Sequence, residues 1–442
     1  MQEIPFAEGV AAALDSLLAD RLAVLAGAGL SMAPPSCLPS AGVIAAAAKQ
    51  KYDATYGAAR PPLATEVEAQ AEFFFQRGEL ATVYFGKLID RNAFAGEPNP
   101  GHAAIADLLL VEGIQTGVTT NVDCLIETAG QLLHGQIGVG IDGPGVAALG
   151  VDVAPLLKIH GCRQSDPANM VWAPGQLLVE PVASRIASSA AWLNVRLLNR
   201  DLLIIGYSTD WDYLNDVLEA TLGAVNPSRV LVVDKLDAAA FQAKAPVLYA
   251  LGGRAGVSFQ QVRASGAEFL DALRLEFSKS YLRRVLHSGA AEFQDLTGAP
   301  PAAALTEPMD LDNETLWQVR RDLEGCAPRD PAGQRIPPAE ALLGLTLLQL
   351  RAVGAVADGP YWLLNGQRIR VLRSVNKVLH RVEALFEREI APSVAPDIVI
   401  AVGAEAQTLP TSIVRAGTQP TIARGTRSRW LTRPEAVEVL GL

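Results

Sequence analysis

The 442-residue chain predicts an α/β fold: a doubly wound parallel sheet followed by a C-terminal mixed, mainly helical region. Three observations carry this expectation. Over the first 280 residues short apolar runs alternate with helix-patterned stretches, the signature of strand–helix–strand units. The runs at Asp201–Gly206 (DLLIIG) and Arg229–Asp234 (RVLVVD) are apolar on both faces, as strands covered by helices on each side must be. Several runs also end in small or polar residues, the way a buried parallel strand delivers its C-terminal end to a site.

Taken in order, Ala7–Asp20 has apolar residues at helical spacing, and Arg21–Gly27 is a short apolar strand ending in a Gly27-Ala28-Gly29 turn. Ala41–Tyr52 reads as a helix, and Thr65–Asp90 as two helical stretches parted near Gly78. Gly101–Glu112 is a helix that follows a Pro-Asn-Pro-Gly turn. Gln115–Thr119 is a strand, Asp123–Leu133 a helix, and Val139–Val151 a Gly-rich irregular segment before the strand Pro155–Ile159. Val182–Leu198 and Trp211–Gly223 are helices around the strand Asp201–Gly206. Arg229–Val233 and a segment near Val257–Val262 are the closing strands, with the helix Gly266–Phe277 after them.

Beyond Ser280 the texture changes. Tyr281–Leu296 reads as a linker helix, Thr297–Pro308 as a loop, and Asn313–Glu324 and Pro338–Val353 as helices. Tyr361–Ile369 holds an Asn-Gly pair between apolar runs, a hairpin signal. Val371–Ile390 is expected as a long Arg-rich amphipathic helix, and Asp397–Val402 as a strand; Ser412–Arg433 is basic. A boundary near residue 285 divides the chain into domains 1–285 and 286–442.

Composition narrows the function. The formal net charge of −10 argues against direct nucleic-acid binding, which needs excess Lys and Arg to neutralise phosphate. No apolar run reaches the length of a spanning helix, so no membrane segment is expected. The N-terminus MQEIPFAEGV has no charged leader before an apolar core, so no secretory signal is expected. Four cysteines, Cys37, Cys124, Cys162 and Cys326, lack zinc spacing and any disulfide pattern, which suits a reducing cytoplasm.

Three strand ends carry the chemistry. At Gly27-Ala28-Gly29-Leu30-Ser31 glycine permits positive φ and close approach, so backbone N–H groups can face phosphate oxygens; an ordinary tight turn would look the same. Thr119–Asp123 puts hydroxyls, an amide and a carboxylate within one turn, able to bond ribose hydroxyls and a carboxamide; Asp123 equally suits a cap on the next helix. His160 ends a strand at Lys158-Ile159-His160-Gly161, where an imidazole can serve as a base or pack structurally. His102 is a secondary candidate that can also cap its helix. Asp234 sits where an acid can take adenosine ribose hydroxyls, or where a loop simply begins.

In this order LAVLAGAGLS (Leu22–Ser31), GVTTNVD (Gly117–Asp123) and LLKIHG (Leu156–Gly161) resemble the Rossmann-like, NAD-binding core of the sirtuin superfamily. The likeness covers roughly residues 10–280. Thr120 replaces the Gln of the family's TQNID motif, and TTNVDCLIE at Thr119–Glu127 is similar to the prokaryotic sirtuin-like branch. The resemblance implies that Asn121 holds the nicotinamide ribose and helps place the attacking group. It implies that Asp123 meets the nicotinamide amide and that His160 accepts a proton from a ribose hydroxyl or water. Gly27, Ala28, Gly29, Ser31 and Thr120 would border the dinucleotide. Gly206 and Ser208 match the family's Gly-Thr-Ser, and Asp210 a GYS-x-D pattern. Leu38-Pro39-Ser40 resembles the family's GIPDF segment, whose accompanying arginine has no counterpart here, and Met170–Pro174 is expected to line the site.

No paired CxxC motifs follow His160, so the zinc ribbon that completes the peptide cleft of deacetylating sirtuins is not expected. The resemblance therefore points to hydrolysis of NAD+ to nicotinamide and ADP-ribose. It is similar to sirtuin-like NAD hydrolases of antiviral defence, such as the Thoeris effector and the partners of HerA-type ATPases. Such enzymes act as triggered abortive-infection effectors. That implies a homo-oligomer, with residues 286–442 meeting an ATPase or other defence partner. The alternatives are an NAD-dependent deacylase or ADP-ribosyltransferase, and a non-catalytic NAD-binding regulatory subunit.

Overall fold

The computed structural model describes residues 1–149, 154–207, 211–224, 229–253, 258–324, 338–374, 378–386, 394–405 and 428–442. The chain divides into two compact units, Met1–Arg274 and Leu275–Leu442. The boundary expected near residue 285 falls inside the continuous helix Gly266–Ser288.

The first unit is built on eight strands: β1 (Gln2–Glu3), β2 (Leu22–Ala26), β3 (Thr116–Thr119), β4 (Ile137–Gly140), β5 (Ala154–Lys158), β6 (Asp201–Ile205), β7 (Arg229–Asp234) and β8 (Ser258–Arg263). They form one sheet in the order β1-β8-β7-β6-β2-β3-β5-β4, and every pairing is parallel. All five residues of β2 and of β6 are buried, as the two-sided apolar runs predict. After β2 the chain builds outward through β3, β4 and β5, then crosses to β6 on the other side of β2. That reversal opens a crevice at the carboxyl ends of the central strands, where doubly wound sheets bind ligands.

Local signals set the helices that flank this crevice. Asn99 caps Pro100–Leu110, its Oδ1 accepting from Gly101 N at 3.0 Å and His102 N at 3.2 Å, with Pro at the first position. Ser40 caps Ala41–Tyr56 by accepting from Val43 N. Val67–Phe75 and the π-helical Leu80–Leu88 are parted at Gly78, whose φ is +68°. Asp107 Oδ2 accepts from Arg274 Nε at 2.6 Å, a buried ion pair that ties Pro100–Leu110 to the start of the long helix.

Two expectations in this unit need correction, and one connection holds helices not anticipated from the sequence. The Gly-rich segment Val139–Val151 is not irregular throughout: Ile137–Gly140 is the edge strand β4, and Gly143–Ala147 is a short helix capped by Asp142. Gly140 accommodates that return, since a Cβ there would lie 2.5 Å from Val146 N. Two helices, Ala238–Lys244 and Pro246–Leu251, fill the connection between β7 and β8. The helix starting at Gly266 continues past Phe277 to Ser288, because Leu282, Val285 and Leu286 supply a new buried stripe.

The second unit holds a five-stranded sheet: β9 (Val356–Asp358), β10 (Tyr361–Leu364), β11 (Gln367–Arg373), β12 (Ile398–Val402) and β13 (Arg429–Thr432), in the order β13-β12-β11-β10-β9. The Asn365-Gly366 hairpin forms as expected, with φ of +51° and +78° at its two central residues. The long helix expected over Val371–Ile390 is not formed. Ile369, Val371 and Arg373 continue the period-2 burial of β11, and among the described residues the helix is Leu379–Phe386. Within β11, Arg370 pairs with Asp322 and Arg368 with Asp358, each at 2.6 Å. Within Ser412–Arg433, residues 412–427 lie outside the described residues, and the rest forms β13 and the start of the helix Arg433–Leu440. Among the described residues, no helix is long and apolar enough to cross a membrane.

Candidate active site

A cavity of about 580 Å³ runs along the carboxyl edge of the first sheet. Its walls come from the ends of six strands: His160 after β5, Thr120–Asp123 after β3, Ala28, Gly29 and Ser31 after β2, Gly206 after β6, Asp234 at the end of β7, and Ala264 and Gly266 after β8. Six neighbouring strands span five spacings, about 24 Å at the usual strand separation. The cavity is thus a long groove with distinct ends.

The end over β3 and β5 is polar and buried. Ser31 Oγ is its hub: it accepts from Asn121 Nδ2 at 3.1 Å and donates to Asp123 Oδ2 at 2.9 Å. His102 Nε2 lies 3.1 Å from the same oxygen. The backbone N–H of Asn99 donates to His102 Nδ1, so the ring proton sits on Nε2 and is given to Ser31. Burial pushes His102 down to about 4, which keeps the ring neutral at physiological pH. Ser31 thereby uses its one donor and both acceptor positions. The sequence suggested Ser31 as a cofactor contact and His102 as secondary; the structure puts both into one network.

Asn121 has a further property. Its backbone N–H bonds Thr119 Oγ1 at 3.0 Å, and its side-chain Nδ2 is held by Ser31, yet Oδ1 is buried without a hydrogen-bond partner. A buried acceptor left open costs about 1–3 kcal/mol, so this oxygen is primed for a ligand donor. Asp123 fills the capping role and also joins the network. Its Oδ1 accepts from Leu125 N at the start of the helix Leu125–Leu132, and its Oδ2 enters the polar network.

His160 stands across the cavity wall, 7% exposed, with the Trp211 ring edge-on at 4.7 Å between centroids. Burial, and secondarily the Arg185 guanidinium, lowers its pKa to about 3. The ring is neutral at physiological pH. Phe94 and Trp172, packed edge-to-face at 5.7 Å, add an aromatic wall at this end. Val171 and Trp172 line the cavity, as do Leu38, Pro39 and Ser40.

The glycine turn behaves differently from expectation. Gly27 is buried behind the cavity with φ of −113°, while Ala28 and Gly29 border it. A Cβ on Gly27 would lie 2.6 Å from Gly206 O, and one on Gly29 would lie 2.9 Å from Gly206 Cα. Positive φ occurs at Gly206 instead, at +58°. The Gly29 amide donates to Gly206 O at 2.9 Å, so it faces the partner turn and not the cavity. The glycines are needed for close approach of two turns.

At the far end, Asp234 lines the cavity, with Oδ1 accepting from Leu236 N at 2.9 Å. Lys235 and Lys244 border the same end and were not singled out from the sequence, because lone surface lysines carry no pattern. Ser208 and Asp210 lie outside the described residues.

Behind the Asn121 end, Cys124, Glu127 and Cys162 place their donor atoms within 4.8 Å of one another, close enough to share a metal ion. The fully buried Lys158 already puts a cation there: its Nζ donates to Glu127 Oε1 at 2.8 Å and to the Asp123 carbonyl, and lies 3.9 Å from Cys124 Sγ.

The fold and groove define the class: a doubly wound α/β protein with its candidate site at the carboxyl edge of the sheet. Comparison then places the central part of the first unit. Residues 115–246 match the family model of the SIR2-like domain. No curated protein matches the chain. Among solved structures, a Sir2 homologue in complex with NAD is 15% identical, with 60% of this chain and 93% of that one covered and a TM-score of 0.37. A Sir2 homologue variant in complex with ADP-ribose is 15% identical, with coverages of 60% and 96% and a TM-score of 0.35. Sir2Tm bound to a propionylated peptide is 14% identical, with coverages of 60% and 96% and a TM-score of 0.33.

Proposed function

We propose that the first unit binds NAD+ and hydrolyses it to nicotinamide and ADP-ribose. The carrying observation is the buried Asn121 Oδ1, an open acceptor in a fully bonded polar network at one end of a dinucleotide-length groove. The match of residues 115–246 to the SIR2-like domain supports the same reading, since it takes in Asn121, Asp123 and His160.

In this reading the nicotinamide ribose lies over β3 and β5, the pyrophosphate crosses the Gly27–Gly29 and Gly206 turns, and the adenosine reaches Asp234. The nicotinamide–ribose bond breaks with its electron pair going to the ring nitrogen, which leaves as neutral nicotinamide. Positive character develops at the ribose carbon. Asn121 Oδ1 accepts from a ribose hydroxyl or from the attacking water, and Asp123 meets the nicotinamide amide. Water adds to the ribose carbon and His160 takes its proton. Positioning and electrostatic complementarity carry such a step. Water is favoured over an acylated lysine as nucleophile because the four cysteines include no CxxC pair from which a zinc ribbon could build a peptide cleft.

We assign residues 286–442 to assembly or trigger sensing and the whole chain to a homo-oligomeric, antiphage abortive-infection effector. The support is the TTNVDCLIE stretch, similar to the prokaryotic sirtuin-like branch. The test is incubation of the full chain with NAD+ alone, following nicotinamide and ADP-ribose. Wild type is expected to release both in equal amounts, and Asn121→Ala and His160→Ala to release far less. NAD+ that binds but stays intact would replace hydrolysis by a regulatory binding role. Release only with an acylated peptide would replace it by deacylation.

A further inference from the structure

Cys124 and Cys162 stand apart in sequence, but the parallel pairing of β3 with β5 brings them together. The register Thr119↔Lys158 aligns the two strand ends, and Arg163 N donates to Val122 O to join the loops that follow. The two sulfurs lie 3.6 Å apart, with exposures of 5% and 3%. Each adjoins the candidate site: Cys124 directly follows Asp123, and Cys162 follows His160-Gly161. The buried Lys158 ammonium is 3.9 Å from Cys124 Sγ and holds the Asp123 carbonyl as well.

We propose that Cys124 and Cys162 form a peroxide-sensitive dithiol–disulfide site that governs the Asn121 end of the groove. The bond itself is independent of the NAD+ reading; its effect on ligand binding rests on that reading.

The chemistry balances with a peroxide as oxidant. The Cys162 thiolate attacks one peroxide oxygen, breaks the O–O bond and becomes a sulfenic acid, releasing hydroxide. The Cys124 sulfur then attacks the Cys162 sulfur and displaces the hydroxyl group, which leaves as water with the Cys124 proton. Two electrons pass from the thiols to the peroxide, and a dithiol reverses the bond. The assignment of nucleophile follows the local field. The hydrogen bond from Cys124, aided by Lys158, lowers Cys162 to about 4, while the same contact and burial raise Cys124. Burial also selects the oxidant: hydrogen peroxide is close to water in size, whereas a glutathione disulfide cannot reach either sulfur.

A disulfide needs about 2.05 Å between sulfurs, so they must approach by roughly 1.5 Å. That movement pulls on Asp123 from one side and on His160 from the other. Displacement of about 1 Å at a reacting group is enough to cost on the order of 10²-fold.

The test uses the full chain with Cys37→Ser and Cys326→Ser, so that only the pair remains. After hydrogen peroxide the intact mass is expected to fall by about 2 Da, and a Cys124–Cys162 linked peptide to appear, both reversed by dithiothreitol. Glutathione disulfide should give no adduct. NAD+ affinity by calorimetry should fall at least about tenfold on oxidation and recover on reduction, with Cys162→Ser unresponsive. Two free thiols after peroxide, or a stable gain of oxygen, would overturn the site. A linked pair with unchanged NAD+ affinity would overturn its control of the groove. A reduced protein that binds no NAD+ would count against the earlier reading alone, and the mass measurement would still decide the bond.

Discussion

Ser31 and His102, 71 residues apart, share a 3.1 Å hydrogen bond in which the imidazole is the donor. This direction is forced by the Asn99 amide on the other ring nitrogen. It leaves Ser31 free to donate to Asp123 and to accept from Asn121. Replacing Ser31 by Ala would strand three buried polar groups at once. The expected result is a loss of about 1–3 kcal/mol in stability, with nicotinamide release falling at least about 100-fold. Denaturant melts and a release assay on the same sample check both.

Asn121→Ala removes the open acceptor and the bond to Ser31 without enlarging any side chain. Turnover is expected to fall about 10²–10³-fold, with the secondary structure by circular dichroism unchanged. A variant within threefold of wild type would exclude Asn121 from the chemistry.

Acid should weaken the first unit through its two neutral histidines. In the native state His102 and His160 hold their protons only below about 4 and about 3. The unfolded chain binds protons there from about pH 6.5 downward, so it carries more protons across that window. Stability is therefore full above about 6.5 and is lost progressively as pH falls toward the folded values, by up to ~1.4 kcal/mol per pH unit for each ring. His102→Gln should flatten the slope of stability against pH between 6 and 4.5.

Lys158→Met would leave the Glu127 carboxylate buried without its ion pair. A loss of about 3–5 kcal/mol is expected, larger than that of the double variant Lys158→Met/Glu127→Gln. Urea unfolding of the two variants and the wild type measures the difference.

Gly27→Ala tests the crowded turns. A methyl group would meet the Gly206 carbonyl at 2.6 Å and Tyr207 Cα at 2.8 Å. The expected cost is about 1–3 kcal/mol, together with weaker NAD+ binding by calorimetry.

The sheet was legible because its inner strands are apolar on both faces and separated by helices. The ends of β2, β3 and β5 could be recognised as one site because glycine, amide and imidazole stand at strand ends in the order of a known family. The edge strand β4 was hidden by its own glycines, which weaken any strand pattern. The stretch after Val371 read as helix because Val371–Arg373 ends a strand whose parallel pairing with the distant β12 no local period reveals. The Cys124–Cys162 contact was invisible for a similar reason: it depends on the register of two strands, and their spacing of 38 residues matches no motif.

The abutting turns at Gly29 and Gly206 separate inheritance of the scaffold from inheritance of the reaction. Neither position has room for a methyl group, whatever is bound above them. A chain altered at Asn121 or His160 keeps these two turns in contact, whereas a side chain at either glycine would force them apart.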